Sequence, residues 1–147
     1  MEFARLLLVS LVMAVAPLIG FIISFYTREE LDQGKGYLVM VQRLLLLILA
    51  MALILRGTEV YFSAIIIVSM IFFYFIDSVL LFMSFATLLF TSTFYGALFN
   101  YASMFLFLYL VFYGLLSYQK KLKGILLSGG VLLATTLALC VVWQMAF

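Results

Sequence analysis

One acidic side chain stands alone in a long apolar stretch and is the residue most suggestive of chemistry. Asp77 lies between Ile76 and Ser78, with no other acidic residue nearby. A carboxylate in hydrocarbon is costly and often marks an ion path, a proton relay or a buried ion pair, for which Arg43 is the natural partner. At the edge of an apolar layer the same carboxylate would cap a helix hairpin at little cost. The sequence favours this second interpretation.

A row of hydroxyl groups follows Asp77 along the chain. Ser84, Thr87, Thr91 and Tyr95 are spaced by three, four and four residues, which places them on one face of a helix. Such a face can line a polar path through a helical bundle. Serine and threonine also fill tight helix contacts and donate to carbonyls of their own helix. The second explanation is favoured, although this row is the best candidate for a path.

Catalytic and metal-binding side chains are scarce. The chain has no histidine and one cysteine, so the commonest general base and the commonest metal ligand are missing. Glu29, Glu30 and Asp32 form a carboxylate cluster, but Arg28 and Lys35 beside them are typical of a solvated polar connection. The sequence therefore predicts no metal and no cofactor, and it favours a protein without enzymatic activity.

The amino-acid composition indicates whether these residues lie in a soluble domain or in a lipid bilayer. Of 147 residues, 69% are hydrophobic and 10% are charged, whereas a soluble domain has about 25% charged residues. The excess apolar surface predicts an all-α, polytopic integral membrane bundle in the lipid bilayer. Residues 1–147 are expected to form one transmembrane domain with short loops and no soluble domain. A net charge of +2 gives no reason to expect nucleic acid as a partner.

The apolar runs predict six membrane-spanning helices, each of about 20 residues. The polar connection between the first two is expected to be a short interfacial helix that ends at Gly34. A turn at Asp77 divides the long stretch that follows. If the turn lies instead near Ser92–Gly96, five helices result and Asp77 lies within the membrane. The predicted helices are 3–26, 37–55, 59–76, 79–98, 101–118 and 125–145.

The distribution of basic residues predicts the orientation, because cytoplasmic loops are enriched in lysine and arginine. With six helices, both termini are expected on the non-cytoplasmic side, where Arg5 and Arg56 lie. The five basic residues on the cytoplasmic side are Arg28, Lys35, Lys120, Lys121 and Lys123.

Small residues predict helix-packing faces. Gly130, Ala134 and Ala138 repeat every four residues in the last helix, and Ala16 and Gly20 give a shorter version in the first. This spacing lets another helix backbone approach closely. The partner helix belongs either to the same bundle or to another subunit.

Three functions remain open from the sequence. The favoured one is a non-catalytic membrane protein that is a structural or assembly subunit of a larger membrane complex, with other membrane subunits or copies of itself as partners. The alternative is a small transporter or channel whose polar path includes Asp77, Arg43 and the hydroxyl row. A membrane enzyme acting on a lipid is third, because carboxylates and tyrosines alone would have to carry the reaction.

Overall fold

The structure is a computed structural model that describes residues 3–56, 67–68, 71, 78–94, 96–117 and 122–146. That part of the chain contains five α-helices and no strand, which confirms the all-helical prediction. Five is the number in the alternative prediction, and the six-helix count is not supported. The helices are α1 (Phe3–Tyr26), α2 (Arg28–Arg56), α3 (Ser78–Ser92), α4 (Gly96–Leu116) and α5 (Leu122–Ala146).

In the part of the chain that the structure describes, three segments are long and apolar enough to cross a membrane, which supports a membrane location. They are Ala4–Tyr26 in α1, Leu98–Leu116 in α4 and Leu122–Met145 in α5. Val79–Ser92 in α3 is apolar but shorter. The predicted helix 59–76 lies largely outside the described residues, as does Asp77. Within it, Ile67, Val68 and Ile71 have helical backbone.

The polar connection after α1 differs from the prediction. Thr27 is a single-residue corner, because its N–H donates to the Ile23 carbonyl while its own carbonyl accepts from Leu31 N–H. From there α2 runs without interruption, so the predicted helix end at Gly34 is wrong. A helical glycine costs roughly 1 kcal/mol relative to alanine, and a helix of 29 residues absorbs that cost.

The boundary between α3 and α4 also differs from the six-helix prediction, which ended a helix at Asn100. Thr93 and Phe94 form a turn, within the segment Ser92–Gly96 where the five-helix alternative put it. The hydroxyls of Ser92 and Thr93 donate to the carbonyls of Leu89 and Phe90, so local side chains satisfy two of the carbonyls at the end of α3. Asn100 is instead a residue of α4.

Helices α1 and α4 run in the same direction. Near their starts, the Arg5 guanidinium donates to Asn100 Oδ1 at 2.7 Å and lies 5.2 Å from the centre of the Phe99 ring. Toward their other ends, Gly20 lies against the backbone at Leu115. This pair is the most extensive helix contact, and α2 packs chiefly on α4. The end of the bundle that holds Arg5 is called the N-terminal end below.

Helix α3 runs opposite to α4, as two ring contacts show. Phe82 meets Tyr113 and Phe85 meets Tyr109, each with ring centres 5.1 Å apart. Helix α5 packs on α3 and α1, and Trp143 near its end contacts Phe94 in the turn after α3. The start of α1 and the end of α5 therefore lie at the same end of the bundle.

Buried hydroxyls in this core donate to their own helices. Ser10, Ser24, Ser128 and Thr136 are almost fully buried, and each donates to a carbonyl three or four residues earlier. Among the described residues, no fully buried side-chain nitrogen or oxygen lacks a hydrogen-bond partner. These four hydroxyls are thus satisfied within their own helices, and a low-dielectric interior requires that buried polar groups be hydrogen-bonded.

Candidate functional site

The hydroxyl row lies on α3, and its described members are engaged within that helix. Ser84 Oγ donates to the Leu80 carbonyl at 3.1 Å, Thr87 Oγ1 to Met83 at 3.0 Å and Thr91 Oγ1 to Leu88 at 3.1 Å. A hydroxyl donor used in this way still leaves oxygen lone pairs to accept a hydrogen bond. In this geometry the row offers acceptors rather than donors.

Of the remaining candidates for a polar path, Arg43 is the one that the structure describes. Arg43 is exposed on α2, which packs chiefly on α4 rather than on α3. Asp77 and Tyr95 lie outside the described residues. The ion pair between Arg43 and Asp77 therefore stays a prediction, as does a path that joins them to the hydroxyl row.

In the described part of the bundle, α1 and α4 cross in close contact at two glycines. A Cβ added at Gly20 would meet the Val111 carbonyl and lie 2.9 Å from Leu115 N. A Cβ added at Gly114 would meet the Pro17 carbonyl oxygen, with the Pro17 carbonyl carbon at 2.8 Å and Phe21 N at 3.0 Å. Each glycine thus lies directly on the backbone of the other helix, and any side chain would separate the two helices.

Ala16 and Gly20, the small residues predicted on α1, lie inside this bundle. Ala16 is fully buried, and Gly20 forms half of the crossing with α4. A second close contact joins α1 to α5, where a Cβ on Gly129 would lie 2.6 Å from the Ala14 carbonyl oxygen. Helix α1 is therefore held between α4 and α5 by backbone-to-backbone contacts.

The small residues predicted on α5 lie on the opposite, outer face. Gly130, Ala134 and Ala138 are all exposed, and a Cβ added at Gly130 would meet nothing within 4 Å. They are surrounded by exposed large residues such as Leu127 and Val141. Nothing in the described bundle covers this face, so its small residues do not pack against any of the five described helices.

Sequence reasoning missed Gly114, Gly129 and the contact between Arg5 and Asn100. Gly114 is the single small residue in its part of an apolar run, so no repeat identifies it. Gly129 precedes Gly130, and the sequence pattern pointed to the second of the two. Asn100 resembled a helix end, whereas its amide oxygen accepts from Arg5. The available signal for this contact was that a polar residue, Asn100, and a basic residue, Arg5, each lie near the end of a predicted span.

Metal chemistry has no support in the part of the chain that the structure describes, where no group of three or more potential ligands could hold an ion. The single cysteine, Cys140, is buried in α5. Within the described helices, the outer face of α5 and the hydroxyl row of α3 are the candidate functional features. No protein family, no curated protein and no solved structure matches the chain in comparisons with known proteins.

Proposed function

We propose that this chain is a non-catalytic integral membrane protein that acts as a structural or assembly subunit of a larger membrane complex. The observation that carries the proposal is the outer face of α5, where Gly130, Ala134 and Ala138 lie exposed. Small residues cost little to expose to lipid, but they allow close helix approach and strong van der Waals contact. A transmembrane helix of a partner subunit fits this face.

The contrast between neighbouring glycines supports this assignment. Gly129 faces inward and contacts the α1 backbone, whereas Gly130 faces outward with open space around it. Among the described residues, α5 packs on α1 through Gly129 and makes no such contact at Gly130. A helical glycine is destabilising by about 0.5–1 kcal/mol relative to alanine, so an external contact is a physical reason to retain one here.

The proposal includes six membrane crossings, for which the helix directions give support. Helix α2 starts directly after Thr27, at the end opposite to Arg5, and packs along α4, so it finishes at the N-terminal end. Helix α3 starts at the opposite end. Residues 57–77 join these two points, and about 20 helical residues span the hydrocarbon layer. Ile67 has helical backbone and packs against the core, in agreement with a crossing there.

In this arrangement both termini lie on the non-cytoplasmic side. Lys35 and Lys123 are on α2 and α5 near the end of the bundle opposite to Arg5. The sequence places Lys120 and Lys121 in the connection between α4 and α5. The end richer in basic residues is the one expected in the cytoplasm.

Enlarging one small residue on the outer face of α5 tests the subunit assignment. Ala134→Leu is expected to shift the protein from a large complex to a smaller species, because the added side chain blocks close helix approach. The measurement is the native mass of the tagged chain, extracted from its own membranes in a mild detergent.

The matched control is Ala4→Leu, which makes the same change at an exposed position near the start of α1. It is expected to leave the native mass unchanged. A wild-type chain that is extracted as a monomer would contradict the proposal. So would a complex whose mass is the same with Ala134→Leu, provided that the variant is as stable as the wild type.

A further inference from the structure

Helices α2 and α5 each carry a continuous row of exposed residues on the side that faces away from the bundle. All twelve positions are exposed, and the two exposed glycines among them have no atom within 4 Å of an added Cβ. The row on α2, called the α2 row, is Glu29, Gln33, Gly36, Met40, Leu44 and Leu47. The row on α5, called the α5 row, is Lys123, Leu127, Gly130, Ala134, Ala138 and Val141.

The two rows have the same spacing of four, three, four, four and three residues. This is the periodicity of a helix face that packs along another helix. Both helices begin at the end opposite to Arg5 and run toward the N-terminal end, so two copies with the same orientation in a membrane present the rows in parallel. Aligning their first residues brings every position of one row level with a position of the other.

Side-chain sizes are complementary in this alignment. Met40 and Leu44 on the α2 row are level with Ala134 and Ala138 on the α5 row, so large residues of one helix meet small residues of the other. Gly36 is level with Gly130, where two exposed glycine backbones allow the closest approach. Alternating large and small residues across facing positions is the pattern of interdigitated packing.

Charges are complementary at the start of the two rows. Glu29 lies in the first turn of α2 and Lys123 near the start of α5, and both are exposed. Glu30 adds a second exposed carboxylate beside Glu29. Opposite charges at the same depth fix the register of two parallel helices more than they add affinity.

From this complementarity we propose that the α5 row of one copy of this chain binds the α2 row of a second copy. The inference rests on the proposed function and deepens it, because it names another copy of the same chain as the partner. The contact is heterologous, since two different surfaces meet. Such contacts generate a closed ring when the rotation between copies closes.

The positions of the two helices in the bundle allow a ring. Helix α2 packs chiefly on α4, whereas α5 packs on α3 and α1, and no substantial contact joins α2 to α5 within the described chain. The two rows are therefore on separate sides, and each copy can bind one neighbour through each row.

A compensating pair of substitutions tests the register. Ala134→Leu is expected to weaken self-association roughly tenfold, because it overfills the contact with Met40. Adding Met40→Ala in the same chain is expected to recover most of the loss, since each interface regains one large and one small residue. The measurement is energy transfer between labelled copies of the purified full chain, diluted in liposomes.

Cross-linking gives a second reading of the same register. In a Cys140→Ala background, Gly36→Cys with Gly130→Cys is expected to form disulfide-linked ladders under mild oxidation in liposomes. Gly36→Cys with Gly124→Cys is the control, because Gly124 lies almost two turns from Gly130 and is also exposed. Equal cross-linking of the two pairs would overturn the proposal.

The two proposals fail in different ways. A purified chain that stays monomeric in liposomes overturns self-association through these rows, while loss of a large native complex with Ala134→Leu would still support a subunit that binds a different protein. A self-associating chain for which Met40→Ala gives no recovery also overturns the proposed contact. Recovery together with selective cross-linking supports it.

Discussion

At the scale of single residues, the effect on stability of replacing a glycine by alanine depends on which atoms the new Cβ would contact. Gly114→Ala is expected to destabilise the protein by about 1–3 kcal/mol, because the new methyl group would collide with the Pro17 carbonyl and overfilled contacts cost that much. The free energy of unfolding can be measured in mixed micelles by titration with a denaturing detergent, followed by the helical circular dichroism signal.

Gly34→Ala is the matched control for this substitution. A Cβ at Gly34 would meet nothing within 4 Å, and Gly34 lies inside the continuous helix α2. The change is therefore expected to stabilise the protein by about 0.5–1 kcal/mol. Changes of opposite sign in the free energy of unfolding would show that the effect at Gly114 comes from close helix contact and not from replacing a helical glycine as such. A neutral Gly114→Ala would show that α1 and α4 are not in backbone contact.

At this scale, a small residue at a helix contact could be predicted from the sequence only where other small residues recur at helical spacing. Ala16 and Gly20 form a short repeat, whereas Gly114 stands alone and its partners, Pro17 and Phe21, are distant in sequence. Gly129 and Gly130 are adjacent and lie on opposite sides of α5. Which of these two glycines contacts another helix depends on the rotation of α5 about its axis, and this rotation cannot be predicted from the amino-acid composition.

At the scale of helices and turns, Trp143 joins the end of α5 to the turn after α3. Its ring centre is 4.9 Å from that of Phe94 and 6.1 Å from that of Phe90. Trp143→Ala is expected to cost about 2 kcal/mol, below the roughly 3–5 kcal/mol of a fully buried aromatic residue, because Trp143 is half-buried. Unfolding in mixed micelles measures the loss.

Tyr26→Ala provides the comparison for Trp143→Ala. Tyr26 is 87% exposed at the end of α1, so the loss of its ring is expected to change the free energy of unfolding by less than about 0.5 kcal/mol. Trp143→Phe should keep part of the ring contact and fall between the two. If Trp143→Ala were no more damaging than Tyr26→Ala, this aromatic contact would contribute nothing to the position of α3.

The predicted helix boundaries were correct where the polarity of the sequence changed abruptly, and they were wrong where it did not. Helix α1 ends as expected, because Thr27 is followed by three charged residues. Asn100 did not end a helix, since its amide oxygen accepts a hydrogen bond from Arg5. In an apolar bundle a polar side chain marks a turn only if no distant partner satisfies it.

At the scale of the whole molecule, the directions of the helices predict where labels reach the chain. In a Cys140→Ala background, Ala4→Cys and Met145→Cys are expected to react with a membrane-impermeant maleimide from the same side of the membrane, and Lys123→Cys from the other. The reason is that α1 starts and α5 ends at the same end of the bundle. Labelling of right-side-out and inverted vesicles measures the two sides separately.

The same experiment separates an even from an odd number of crossings. Reaction of Ala4→Cys and Met145→Cys from opposite sides would contradict six crossings and favour five. Detergent-solubilised protein, in which all three sites are open, controls for the intrinsic reactivity of each cysteine. The orientation of the chain follows from whether each cysteine is labelled in right-side-out or in inverted vesicles. The basic residues near Lys123 predict that this site lies on the cytoplasmic side.

The amino-acid sequence by itself determined the solvent and, with it, the class of structure. A chain this apolar is stable in lipid only if each segment satisfies its own backbone hydrogen bonds, and the α-helix does so without any knowledge of its neighbours. The tertiary structure alone decided which glycines meet another backbone, which small residues remain on the outer face, and how α1 is held between α4 and α5. Lipid-facing and bundle-facing side chains are equally apolar, so helix rotation is set by the fit between helices.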